Sequence, residues 1–326
     1  MEMDLQHGRH REFRGVPSPY RALKEAIEAM QEGRQMPGTL RLRWVGHLAM
    51  FVALVLLLTA CKSALVHVFL SRWSDGAQYL ADKILRFAVY LIASAIMARL
   101  ESKSIAAYGL PVTRALVPRF IRGAVISFLG LTAFLLLSRA AGLFHFGSVV
   151  THGVDAWKWC AIYVFAFLVV AVEEEFQYRG YLLYALARGI GFWPAAIVSS
   201  VVFAYGHLEN PGETWLGILN LFLSGLLFCL LLRRSGDLWL PIGFHASWDW
   251  AQTYLYGIPD SGRTLPGRLF GGSFSGPVWL SGGMVGPEGS AILTLLLILF
   301  WLGIARMKGP STGESLGSLR LKRQSL

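Results

Sequence analysis

The sequence predicts an all-α protein, a polytopic bundle of about eight transmembrane helices. Three observations carry that expectation. Of 326 residues, 54% are hydrophobic and 15% charged, and the mean hydropathy is +0.49. Soluble domains carry about 25% charged and 45–50% apolar residues. The apolar residues fall in runs near the ~20 residues that a membrane span needs. The cysteines, Cys61, Cys160 and Cys229, form no CxxC pair, so neither a disulfide framework nor a thiolate zinc site organises the chain.

The elements follow in order. Residues 1–44 hold eight basic and six acidic residues and no spanning run. Within them, Ser18-Pro19 makes a helix start, a hydroxyl cap followed by proline in the first turn. Leu23, Ile27 and Met30 then recur opposite Lys24, Glu25 and Glu28. This reads as a cytosolic N-terminal segment with an amphipathic helix on the membrane surface. A transmembrane domain fills residues 45–305, with apolar runs near 45–61, 85–99, 120–138, 158–185, 192–208, 215–232, 238–256 and 290–305. A basic C-terminal tail occupies 306–326. The stretch 257–289 has ten glycines and four prolines, too many breakers for a helix. It also carries Phe270, Phe274, Val278, Trp279 and Leu280, so it reads as an ordered loop packed on the bundle or as a lid.

Net charge is +10, with 30 Lys and Arg against 20 Asp and Glu. The basic residues cluster at the chain ends and between apolar runs, with no basic stripe interleaved with aromatics. They therefore read as topology signals facing a bilayer, with no nucleic-acid partner. Arg99, Lys103, Arg114, Arg119, Arg122, Arg188, Arg233, Arg234, Arg306 and Lys308 group with the basic N-terminal segment on one side. Lys62, Arg72, Lys83, Arg86, Arg139, Lys158, Arg263 and Arg268 are assigned to connections on the other. Both termini are then cytosolic. Arginine outnumbers lysine 23 to 7, which points to a GC-rich bacterial genome and hence a bacterial cytoplasmic membrane.

Ionisable groups at membrane depth cost about 2.5–3.5 kcal/mol each and mark functional sites by default. Three clusters stand out. Glu173-Glu174-Glu175 precedes Phe176-Gln177-Tyr178-Arg179 inside an apolar run; Glu175 and Arg179 are four apart and can pair along the helix. Glu174 points about 100° away on the same helix, free to face a cavity. His207 closes a run that contains Phe203. His245 and Asp249 share a helical face, so the carboxylate can fix the imidazole or both can hold a water or a metal. No HExxH or GxSxG signature occurs. Glutamate, histidines and aspartate from three helices could ligate zinc or hold a water directly, with glutamate as base.

EExxxR (Glu174-Glu175 to Arg179), FxxxH (Phe203 to His207) and HxxxN/D (His245 to Asp249), in that order on successive helices, resemble the CPBP intramembrane proteases. These are the CAAX-processing and bacteriocin-processing (Abi) proteins, relatives of the type II CAAX prenyl endopeptidase. The resemblance covers about residues 155–255. It implies that Glu174 activates a water and that His207, His245 and Asp249 complete the site, supported by Glu175, Arg179 and Phe203. Asp249 stands where prenyl endopeptidases of the family carry Asn, and the added charge leaves the choice between zinc and no cofactor open. If a metal takes part, Glu174, His207, His245 and Asp249 are its ligands.

The expectation is an intramembrane endopeptidase acting on a peptide or membrane-protein substrate. The alternative is a membrane scaffold or regulator that keeps the polar site without proteolysis. With the N-terminus inside, the glutamates fall near mid-helix, His245 toward the cytosolic end and His207 toward the outer end of its run. One site therefore requires the fifth helix to be offset, extended or tilted.

Overall fold

The computed structural model describes residues 38–70 and 73–306; the expected N-terminal amphipathic helix and the basic tail lie outside the described residues. Nine α-helices of ten or more residues run through them. They are α1 (Gly38–Leu65), α2 (Asp75–Leu100), α3 (Leu116–Ala140), α4 (Gly153–Arg179) and α5 (Tyr181–Ile190). α6 (Phe192–Tyr205), α7 (Trp215–Ser235), α8 (Trp239–Trp250) and α9 (Ala291–Arg306) follow. Two-residue strands β1 (Phe144–His145) and β2 (Ser273–Phe274) make the one sheet among the described residues.

Every apolar run of the sequence is helical, but the fourth is broken. Gly180 (φ −77°, ψ −123°) separates α4 from α5. A Cβ there would meet the Phe176 carbonyl oxygen at 2.3 Å, so glycine permits the bend. The break places Glu174 in the last two turns of α4 rather than at mid-helix.

Among the described residues, four stretches are long and apolar enough to cross a membrane: Trp44–Leu70, Leu116–Ala140, Gly153–Ile190 and Trp215–Ser235. The first hides only 6% of its apolar window inside the protein, and Leu56 and Leu57 point outward at 65% and 62% exposure. Such a surface belongs in lipid. The protein is an integral membrane protein.

α6 is shorter. Its 14 residues reach about 21 Å at 1.5 Å per residue, against a ~30 Å hydrocarbon core. The turn that follows carries His207, whose Nε2 lies 4.0 Å from Glu174 Oε2.

The bundle closes differently at its two ends. At one end Glu101 accepts from Tyr181 Oη at 2.8 Å and pairs with Arg188 at 3.2 Å, and the Leu238 amide donates to Gly109 O at 2.8 Å. Arg119 pairs there with buried Asp237, and Arg234 donates to Ala305 O at 2.5 Å. These are the basic connections that the sequence grouped together. At the other end the 257–289 stretch is an ordered loop. Phe144 pairs with Phe274 and His145 with Ser273. Thr151 Oγ1 donates to Arg268 O at 2.6 Å, and Asn220 Nδ2 to Glu288 O at 2.7 Å. Trp279 and Val278, 59% and 56% exposed, point outward instead of packing.

A close helix crossing joins α3 to α8. A Cβ on Gly123 would lie 2.1 Å from Leu240 O, and one on Gly243 would lie 2.0 Å from Phe120 O. Only hydrogen fits at either place, so the two backbones approach as small-residue membrane interfaces do.

Candidate active site

Four elements bring the polar residues together. The last turns of α4 carry Glu173, Glu174, Glu175 and Arg179. The turn after α6 carries His207, α8 carries His245 and Asp249, and α2 contributes Lys83. Glu173 and Glu175 are fully buried, and Glu174, His245 and Asp249 are 9%, 8% and 9% exposed.

Successive helical residues point about 100° apart, so the three adjacent glutamates meet overlapping but different sets of partners. Glu173 meets Lys83 Nζ at 3.2 Å and Arg86 Nε at 3.6 Å. Glu174 Oε1 accepts from Lys83 Nζ at 2.5 Å. Glu175 Oε1 lies 3.4 Å from Arg179 Nη1, the intrahelical pair its spacing suggested, and 3.0 Å from His245 Nδ1. Glu173 and Glu174 thus share Lys83, Arg86 is a second cation for Glu173, and Glu175 pairs with Arg179 and His245.

The histidines are set from behind. His207 Nδ1 donates to Phe203 O at 2.8 Å, which turns Nε2 inward. His245 Nδ1 donates to Glu175, and its ring stacks on Phe228 at 5.3 Å and 12°. Its Nε2 faces inward as well, 3.4 Å from Asp249 Oδ2. The sequence offered Asp249 as the carboxylate that orients His245. In the fold Glu175 takes the Nδ1 edge, and Asp249 lies beside Nε2. Arg179 lies over the rings of Phe203 and Phe228 at 4.4 and 5.2 Å, tying the support of both histidines to one guanidinium.

Glu174 Oε2 stands 4.0 Å from His207 Nε2 and 3.9 Å from His245 Nε2. These separations exceed a direct hydrogen bond and suit a bridging water. They suit zinc less well. Ligands at 2.0–2.1 Å from a tetrahedral zinc sit about 3.4 Å apart, and the Lys83 ammonium already compensates Glu174. Among the described residues no group of three or more His, Cys, Asp or Glu side chains could hold a metal ion. The four expected ligands therefore do not fit zinc as they are placed.

Lys83 and Arg86 correct the sequence reading. They are not connection charges: both lie within α2, Lys83 is 6% exposed, and both face the glutamates. Lys83 lies just before the apolar run at 85–99 and Arg86 just inside it, so both read as end charges of that run. A lysine about two turns inside a helix that continues apolar was the available signal. The sequence also passed over Gln252, Thr253 and Asp260, next to the site. Thr253 Oγ1 donates to Asp260 Oδ2 at 2.9 Å, and burial pushes the Asp260 carboxyl up to about 6. Glu288, which accepts from Gln252 Nε2 at 3.0 Å, is raised for the same reason.

Fold and site together define a helical integral membrane protein with a buried centre of glutamates and histidines. Residues 155–251 match the family model described as Type II CAAX prenyl endopeptidase Rce1-like. That segment is thus similar to the family its three motifs resemble, and the match supports a CAAX-type intramembrane endopeptidase in general. It spans all three motifs but less than a third of the chain. No curated protein matches the chain.

Proposed function

We propose that this protein is an intramembrane endopeptidase in which Glu174 activates a water for attack on a peptide bond. The observation that carries the reading is the convergence of three inward-facing atoms, Glu174 Oε2 and the Nε2 atoms of His207 and His245, at 4.0 and 3.9 Å. A water among them donates one hydrogen to Glu174 and another to His207 Nε2, which carries a lone pair because Nδ1 donates to Phe203 O. Glu174 removes the proton as the oxygen attacks the carbonyl carbon, and the acid so formed returns it to the leaving amine. His245, with carboxylates at both ring nitrogens, serves in its cationic form as donor to the tetrahedral oxyanion. Asp249 fits that role better than a neutral amide would, since it stabilises the imidazolium. The substrate is a peptide or membrane protein. In a bacterial cytoplasmic membrane with both termini cytosolic, prenylated proteins are not the expected substrates.

The decisive experiment compares the termini of membrane proteins by mass spectrometry in cells carrying wild type or Glu174→Gln. New termini that disappear with Glu174→Gln identify substrates and support the endopeptidase. A site needed only for complex formation, with termini unchanged, overturns it in favour of a scaffold.

Two further outcomes are expected. Glu175→Gln should lower turnover by about 10²- to 10⁴-fold, because an amide cannot stabilise the His245 imidazolium and can present the wrong group to Nδ1. Steady-state kinetics on a peptide spanning an identified cleavage site checks this. Purified protein should contain no stoichiometric zinc and keep its activity under strong chelation; loss of activity restored by added zinc would assign the metal-dependent type.

A further inference from the structure

We propose that Lys83 is a positioning residue for hydrolysis, holding the Glu174 carboxylate with one oxygen turned toward the two histidines. The inference rests on the endopeptidase reading above. Lys83 lies on α2, outside the family-matched segment 155–251. The helix that supplies it is therefore additional to the three that carry the motifs.

The geometry divides the two oxygens of Glu174. Oε1 is held by Lys83 Nζ at 2.5 Å, and Oε2 faces His207 and His245. The last torsion of a glutamate is broad and roughly two-fold, so without a partner the carboxylate would rotate. The ammonium removes that freedom at the oxygen that does not face the histidines. Lys83 is itself fixed. Glu173 Oε2 holds it from a second side at 3.2 Å, and the Tyr79 ring lies 5.6 Å from Nζ. Arg86, one turn further along α2, takes the other oxygen of Glu173 at 3.6 Å. Among the described residues, no other lysine or arginine pairs with Glu174. α2 thus brings one cation to the reacting carboxylate and a second to its neighbour, so Lys83 need not serve Glu173 alone.

A merely structural lysine would neutralise two buried carboxylates and do nothing more. Lys83→Met/Glu173→Gln separates the two roles, because it removes one charge of each sign and leaves the helix pair without a net imbalance. The test uses purified full-length protein and a peptide spanning a cleavage site found by the termini comparison. The double variant should unfold within a few degrees of wild type, keep KM within about threefold and lose about 10²-fold in kcat, the usual cost of misplacing a reacting group by an ångström. Lys83→Arg should recover part of that loss. Wild-type kcat in the double variant, with Glu174→Gln inactive, overturns the positioning role and leaves the endopeptidase standing. Full activity in Glu174→Gln overturns both.

A readout independent of catalysis is labelling of Glu174 by dicyclohexylcarbodiimide, which attacks unpaired buried carboxyl groups. Labelling should rise about fivefold or more in the double variant, since a buried carboxylate left without its partner no longer stays shielded. Unchanged labelling overturns the pairing itself.

Discussion

Glu174→Gln should lower peptide cleavage by about 10²- to 10⁴-fold, the usual share of a positioned general base, while the bundle stays folded. Glutamine keeps the length of the side chain and an oxygen that can accept from Lys83 Nζ, now 2.5 Å from Oε1. It loses the basic oxygen that faces the two imidazoles. The loss should fall on kcat, because the interaction with the proton in flight exists only in the transition state. Single-turnover kinetics on purified wild type and variant, with thermal unfolding as the control for folding, measures it. Retention of more than about a tenth of wild-type turnover would remove Glu174 from the role of base.

The second large effect concerns packing. Gly243→Val should destabilise the protein by more than about 3 kcal/mol, at the severe end of overpacking substitutions. The first added carbon would stand 2.0 Å from Phe120 O, a backbone atom that no side-chain rotation can move. α3 and α8 would have to separate. The reciprocal contact of Gly123 with Leu240 O, 2.1 Å from a Cβ, lies in the same crossing and would open with it. His245 is two residues further along α8, so activity should fall together with the unfolding temperature. Gly243→Ala should show the same direction with a smaller size. An unfolding temperature equal to wild type for Gly243→Val would show that the crossing is looser than its backbone geometry implies.

Much of the architecture was legible because a bilayer imposes a simple code. Each helix must be apolar for most of its length, so all eight runs could be counted, and the ordered 257–289 loop announced itself by aromatics among glycines. The motif residues were legible for the converse reason. Carboxylates and imidazoles inside apolar runs are costly, and Glu174, Glu175, Arg179, Phe203, His207, His245 and Asp249 are the residues that converge in the fold. The Glu175–Arg179 pair also followed, because i and i+4 share one helical face whatever surrounds them.

Less local features were not legible. Lys83 sits just before the apolar run of its helix, where a basic residue reads as a topology signal, and only the approach of α2 to α4 makes it a partner of Glu173 and Glu174. Helix breaks are similarly ambiguous. Gly180 lies in a run that stays apolar through Leu183, and nothing in the pattern distinguishes a tolerated helical glycine from a bend. Which carboxylate orients His245 was also undecided by spacing. Asp249 is the neighbour along the chain, but Glu175 reaches the Nδ1 edge from another helix.

From its sequence alone this protein is determined to be a membrane helix bundle with its scarce deep charges gathered in three motifs. Hydropathy and helical periodicity are properties of short windows of chain, and they need no knowledge of neighbours. Tertiary structure decided the rest. It ended α6 short so that His207 meets Glu174, bent the chain at Gly180, gave the Nδ1 edge of His245 to Glu175 and brought Lys83 to the reacting carboxylate. Each of these depends on distances between helices far apart in sequence, set by backbone contacts such as the glycine crossing of α3 and α8.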